Sequence, residues 1–171
     1  MKSDLKKEKT ILEKIKRKFG REGIIQRAHR VWISIDKEEL LDWVKWLKQE
    51  GFIHLSAISV SDWLEEKKYK IAYLLWSFKD NILFVLTTKI DRENPVIDSI
   101  IPLWGNNAQA HERENWEFFG INFKGNPNLI PLFTENWQGA PPFRKDFNWQ
   151  KYVRDEYYNK ENKRERGYYE D

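Results

Sequence analysis

The sequence predicts an α+β fold: a mostly antiparallel sheet with helices packed on one face, followed by a long irregular C-terminal segment that wraps a partner. Three observations carry this. Strand-like alternation recurs in RVWISID, FIHLSAISVSD, YKIAYLLWSF and ILFVLTTKI. Apolar residues at helical spacing, bounded by cap signals, recur around these stretches. Beyond Ile121 both periodicities stop, while aromatic residues and prolines persist.

Residues 1–21 are expected to form a basic N-terminal helix or arm. Ser3 can cap it; Ile11, Ile15 and Phe19 recur every fourth residue, with Leu12 beside them, and Gly20 can end it. Such a helix is either a solvated amphipathic element or an arm lying on an acidic partner or on anionic phosphates.

Residues 22–120 are expected to form the α+β core domain. Val31, Ile33 and Ile35 share one face of a strand. Asp36 and Glu39 have capping-box spacing, and Leu40, Leu41, Val44 and Leu47 then form a helical stripe, flanked by Trp43 and Trp46, that stops near Gly51. FIHLSAISVSD returns as a strand, WLEEKK is a polar loop, and the next two strands form a hairpin across KDN. Asn94 and Pro95 read as the N-cap and first position of a short helix through Val96, Ile97, Ile100 and Ile101, broken by Pro102. A second helix is expected from about Asn107 to Phe119, with Gly120 as a left-handed C-cap.

Residues 121–171 are expected to be an extended wrapping segment and tail. Pro127, Pro131, Pro141 and Pro142 break it, yet it carries Phe123, Leu129, Phe133, Trp137, Phe143, Phe147 and Trp149. Such a stretch is too apolar for disorder and too broken to build its own core, so it lies on its own domain or on another chain. Residues 151–171, with mixed charges and several tyrosines, read as a tail ordered mainly by a partner.

Composition narrows the chemistry. At 171 residues and 40% hydrophobic, the chain suits one domain plus tails. Lys+Arg 30 against Asp+Glu 27 leaves only +3, too even a balance for a dedicated nucleic-acid binder. The absence of Cys excludes disulfides, a thiolate nucleophile and Cys-ligated metal centres. Abundant Lys and Glu with a single Met fit a hot-growing source. No window reaches the ~20 apolar residues of a membrane span, and the N-terminus lacks a signal-peptide core. The expectation is a cytoplasmic protein that reaches a membrane only through a partner.

No catalytic constellation emerges. Glu114 and Glu117 share a helix face, but paired glycosidase carboxylates flank a substrate across a cleft. Arg113 and Glu117, four apart, would simply pair. His111 and Glu114 supply half of a metal pair, and His29 and His54 lie in strand-like stretches without ligand spacing. GNPN and WGNN lack phosphate-loop spacing. Of nine tryptophans, Trp104, Trp116, Trp137 and Trp149 fall in the C-terminal half, as core residues or as interface anchors.

HERENWEFFGINFKGNPNLI, followed by LFTENWQGAPPFRKDF, resembles the 30-kDa subunit family of respiratory complex I and its relatives in membrane-bound NiFe-hydrogenase complexes. The family pattern reads E-R-E-x-x-D-x-x-G-I-x-F-x-G-H-P-x-L, then L-T-x-x-W-x-G-H-P-L-R-K-D. Glu112, Arg113, Glu114, Gly120, Ile121, Phe123, Gly125, Pro127 and Leu129 match, as do Thr134, Trp137, Gly139, Arg144, Lys145 and Asp146. LSAISVSDW, upstream, resembles the family's strand, and the likeness covers about residues 28–147. Three departures stand out: Glu117 replaces an Asp, Asn126 replaces a His, and GAPPFRKD has one residue more than its counterpart. The Pro-Pro-Phe form resembles the hydrogenase relatives most.

The resemblance implies a non-catalytic peripheral-arm subunit on the cytoplasmic side of the cell membrane. It would dock on a large catalytic subunit beside iron–sulfur subunits, with NiFe and iron–sulfur centres on those partners and no cofactor or metal on this chain. A quinone-reducing or sulfur-reducing relative is the alternative. A nucleic-acid module using the basic N-terminal arm is the alternative of another class.

On this reading Trp116 and Phe119 face inward from the helix, and Glu112, Arg113, Glu114 and Glu117 form ion pairs. Gly120 and Gly125 let the chain turn. Pro127, Pro141 and Pro142 stiffen the wrapping segment. Trp137 and Phe143 meet the partner, Phe143 filling a pocket, and Arg144, Lys145 and Asp146 set register.

Overall fold

A computed structural model describes residues 5–135 and 137–158. Helix α1 (Lys6–Phe19) leads into strands β1 (Ile24–Arg27) and β2 (Arg30–Ile35), then α2 (Leu40–Gln49), β3 (His54–Trp63), β4 (Lys68–Ser77) and β5 (Ile82–Asp91). Short strand β6 (Val96–Asp98), helix α3 (Ile101–Phe119), short strand β7 (Asn122–Lys124) and α4 (Trp149–Val153) follow. Five strands form one sheet in the order β1-β2-β5-β4-β3, antiparallel except for the β2–β5 pair.

Alternation decides which face is covered. Val31 and Ile33 of β2 lie beside Phe84 and Leu86 of β5, which oppose Leu75 and Tyr73 of β4 and, through them, Leu55 and Ile58 of β3. These side chains join Ile11 and Ile15 of α1, Leu40, Trp43, Val44, Trp46 and Leu47 of α2, and Ala108 of α3 in one core cluster. The α+β architecture with its mostly antiparallel sheet therefore agrees with the sequence pattern.

Several local expectations are corrected. In α2 the buried face includes Trp43 and Trp46, while Leu41 is exposed. Phe19 stacks on Trp43 at 3.9 Å, so aromatic packing rotates the stripe. The N-cap expected at Ser3 lies outside the described residues; Leu5 occupies the cap position without a side-chain hydrogen bond. Strand β1, exposed along most of its length, carries too weak an alternation to read from sequence.

No helix forms at 94–100. Val96–Asp98 instead pairs in parallel with Asn122–Lys124, a partner remote in sequence, and β-branched Val96 and Ile97 suit that extended state. Pro102 begins α3 rather than breaking a helix, because the first turn needs no N–H donor there. Gly105 kinks α3 at φ 54°, ψ −134°.

Helix α3 lies beside β3, the last strand of the sheet, and donates to carbonyls in its first half and just before it. Trp104 Nε1, Asn107 Nδ2 and Asn115 Nδ2 donate to the carbonyls of Ile53, Leu55 and Ile58 at 3.1, 2.9 and 2.9 Å. The first half of this edge strand is thereby closed to pairing with other chains. Glu8 of α1, 3% exposed, accepts the His29 N–H at 2.7 Å and fixes the β1–β2 turn.

Candidate docking surface

The family-motif residues of α3 turn their polar groups inward. Glu112 is fully buried; it accepts the Ile100 N–H at 2.8 Å, the Ser99 hydroxyl at 2.7 Å and the Asn126 amide at 3.0 Å. Burial raises its pKa above the ordinary carboxylate value, and these three donors only partly oppose the rise. Asn126, at the position expected to differ from the family, thus anchors its loop to α3.

Glu117 receives the turn that follows. It accepts backbone N–H groups from Leu132 (2.8 Å), Phe133 (3.1 Å) and Thr134, together with the Thr134 hydroxyl. Burial works to raise its pKa, but these donors outweigh it and hold the carboxyl below its usual range. Arg113 donates to the carbonyls of Ile130 (3.0 Å) and Pro131 (2.8 Å).

The ion-pair network expected among Glu112, Arg113, Glu114 and Glu117 is therefore not what forms. Three of these residues bind backbone or neutral groups of the 99–134 region. Glu114 has a long contact to His111 at 3.9 Å. The reason is geometric: residues 99–100 before α3 and the chain that folds back after Gly120 offer their own polar groups first. Trp116 and Phe119 are only partly buried against the core, whereas the polar side chains of Glu112, Asn115 and Glu117 face in.

Gly120 sits at φ 76°, and a Cβ there would meet Pro141 Cγ at 3.0 Å, so this glycine serves both the helix end and the returning chain. Gly125, at φ 93°, makes the second turn; Pro127 is exposed beside it.

Residues 141–146 close onto the end of the sheet. Arg92, 2% exposed, binds Asp62 with Nε at 2.8 Å and Nη2 at 2.9 Å, and Asp146 with Nη1 at 3.1 Å and Nη2 at 2.6 Å. Asp62 also accepts the Lys145 N–H at 2.9 Å. Arg144 binds Asp146 at 3.2 Å and approaches Glu93 at 3.5 Å. Hydrogen bonds from Arg92 and then Arg144 depress the Asp146 pKa, and hydrogen bonds to Asp62 and then Asp146 raise that of Arg92.

The sequence reading missed Asp62 and Arg92. A signal existed: Asp62 continues the core-facing register of Ile58 and Val60, and a carboxylate there requires a cation.

Around this latch the aromatics stay partly open. Phe118 is sandwiched between Phe143 (centroids 4.3 Å, 17°) and Phe133 (5.5 Å, 14°), and the two outer rings are 56% and 64% exposed. Phe143 N–H donates to the Phe118 carbonyl at 3.0 Å, which fixes that ring's approach. Trp137 packs on Tyr152 at 4.3 Å and donates to the Ala140 carbonyl at 3.0 Å. Pro142 is half-buried, and Ile130 and Leu132 are exposed along the same segment. Among the described residues, no cluster of His, Asp or Glu could hold a metal ion, and no helix is long and apolar enough to cross a membrane.

Residues 33–153 match the family of the respiratory-chain NADH dehydrogenase 30-kDa subunit. The chain is 30% identical over 144 residues to a subunit of the F420H2 dehydrogenase of Methanosarcina mazei, covering 81% of this chain and 90% of that one. It is 30% identical over 142 residues to a subunit of the NADH-quinone oxidoreductase of Citrifermentans bemidjiense, covering 80% and 87%. A chain in the structure of the archaeal membrane-bound sulfane sulfur reductase shares the fold, with TM-score 0.82, 24% identity and coverage of 92% and 98%. A trypsin-resistant fragment of Nqo5 superposes with TM-score 0.62 at 26% identity, covering 72% of this chain and 99% of the fragment. On these likenesses the chain belongs to the 30-kDa subunit family of respiratory-chain NADH dehydrogenase and is a subunit of a complex I-like respiratory oxidoreductase.

Proposed function

We propose that this chain is a non-catalytic assembly subunit of the peripheral arm, docked on the large catalytic subunit of a membrane-bound, ion-translocating, hydrogenase-like oxidoreductase. The observation that carries the reading is the ladder Phe133–Phe118–Phe143. Its outer rings are more than half exposed, yet each is held by a backbone anchor, Glu117 for Phe133 and the Phe118 carbonyl for Phe143. Rigid, exposed aromatic groups are efficient interface anchors because little freedom remains to be lost on binding. Arg144 and Asp146 at the rim, with Trp137, Pro141, Pro142 and Lys145, set orientation. NiFe and iron–sulfur centres belong to the partners on this reading, and the extra residue in GAPPFRKD supports the hydrogenase-like branch.

The test is a tagged copy expressed in its native host. It should co-purify with a large catalytic subunit and iron–sulfur subunits, and the double variant Phe143→Ala with Arg144→Ala should lose them while remaining folded. Unchanged co-purification of the double variant, or a stable partner-free monomer recovered from native membranes, overturns the assignment.

A second reading places the same docking subunit in a complex that oxidises a reduced soluble cofactor. Its likeness to subunits of an F420H2 dehydrogenase and of an NADH-quinone oxidoreductase favours it. Electron-donor assays on the purified complex separate the two.

A further inference from the structure

All three long helices place their buried apolar residues on one face of the five-stranded sheet. The other face carries an aliphatic and aromatic row. Trp32 lies beside Val85, Val85 opposes Leu74, and Leu74 opposes Ala57; one step along, Leu83 opposes Trp76. All of these side chains are half-buried, and none belongs to the core cluster.

The charges on this face are unbalanced. Arg27 directly opposes Arg30, and Lys70 directly opposes Lys89, arrangements that cost stability when no anion lies between them. Two carboxylates beside the face are already taken: Glu66 pairs with Lys89 at 2.6 Å and Asp91 with Lys68 at 3.4 Å. Glu8, at the hairpin turn, is committed to the His29 amide. No carboxylate among the described residues pairs with Arg27, Arg30 or Lys70. The Arg30 Nε is buried without a hydrogen-bond partner, and the Lys70 ammonium rests over Trp32 and Trp63 at 5.2 and 5.3 Å.

We propose that this sheet face is a second docking surface, and that its occupant is an acidic segment of another subunit of the same complex. Apolar side chains of that segment cover Trp32, Leu74 and Val85, and its carboxylates meet Arg30 and Lys70. The proposal rests on the chain's place in a multisubunit complex, but not on the Phe118 ladder. Basic residues beside sheet aromatics also suit single-stranded nucleic acid. The centre of this face, however, is the aliphatic set Leu74, Leu83, Val85 and Ala57, and the rings of Trp32 and Trp63 already lie under the Lys70 ammonium, so a polypeptide fits better.

The test uses the intact complex, purified through a tag on another subunit, with p-benzoylphenylalanine incorporated at position 74 in place of leucine. Irradiation should join this residue to a peptide of another subunit that carries net negative charge. The pair Arg30→Glu with Lys70→Glu should cut the cross-link yield at least tenfold, with Arg30→Gln and Lys70→Gln falling between, while the chain still co-purifies. A cross-link to a neutral or basic peptide, to nucleic acid, or to this chain's own residues 159–171 overturns the proposal, as does no cross-link. A ladder variant that leaves the complex intact would count against the first surface alone.

Discussion

Arg92 and Asp146 meet at 2.6 Å, Nη2 to Oδ1, across 54 residues of sequence, and this contact ties the C-terminal segment to the end of the sheet. Asp62 completes the bridge on the adjacent edge of the guanidinium, through Nε and the shared Nη2. The segment expected to lie on its own domain or on another chain does the first through residues 141–146. Its exposed rings remain available for the second.

Removing the cation should be far worse than removing the outer anion. Arg92→Met leaves Asp62 buried without its cation and held only by the Lys145 N–H, a loss on the order of 3–5 kcal/mol. Asp146→Asn leaves the Arg92–Asp62 pair intact, and Asp146 is 45% exposed, so solvent screening limits its loss to about 1 kcal/mol. Urea unfolding of both variants measures the ratio. Equal losses would show that Asp62 is stable alone.

The pH dependence has two opposing parts. Asp62, Glu117 and Asp146 have depressed pKa values, so they bind fewer protons folded than unfolded. Their stabilisation is complete above about pH 4 and is lost as pH falls through the folded values. Glu112 has a raised pKa, so its contribution is complete below about pH 4 and declines as pH rises through the folded value. Amide-exchange protection at 132–134 and 145 should therefore fall on acidification. The stability advantage of wild type over Glu112→Gln should shrink as pH rises above about 4; a growing advantage contradicts the assignment of Glu112.

Gly120→Ala tests the returning chain. A left-handed non-glycine residue costs roughly 1–2 kcal/mol, and the added Cβ presses on Pro141. Thermal unfolding should move down by several degrees, and trypsin should cut faster after Arg144. Wild-type cleavage kinetics would mean that Pro141 does not pack there.

Asn115→Ala tests the closed edge of β3. It removes the donor to the Ile58 carbonyl in a site only 4% exposed, at a cost of roughly 1–3 kcal/mol. Asn115→Asp should be at least as damaging, because it turns an acceptor toward that carbonyl. Denaturant titrations of the two variants check the order.

What the residues showed on their own was what is local or periodic. Alternation marked β2 to β5, the helical stripe marked α2, and Gly120 marked the end of α3. The double motif from Glu112 to Asp146 marked the family. Each signal depends only on neighbours within a turn or a strand pair. Tertiary structure alone decided that Val96–Asp98 is a strand, because its partner lies at 122–124. It also decided that Glu112, Arg113 and Glu117 bind backbone rather than one another, and that Arg92 joins Asp62 to Asp146. Those choices follow from which polar groups the folded chain brings within 3 Å of a buried charge, and sequence spacing carries no record of that distance.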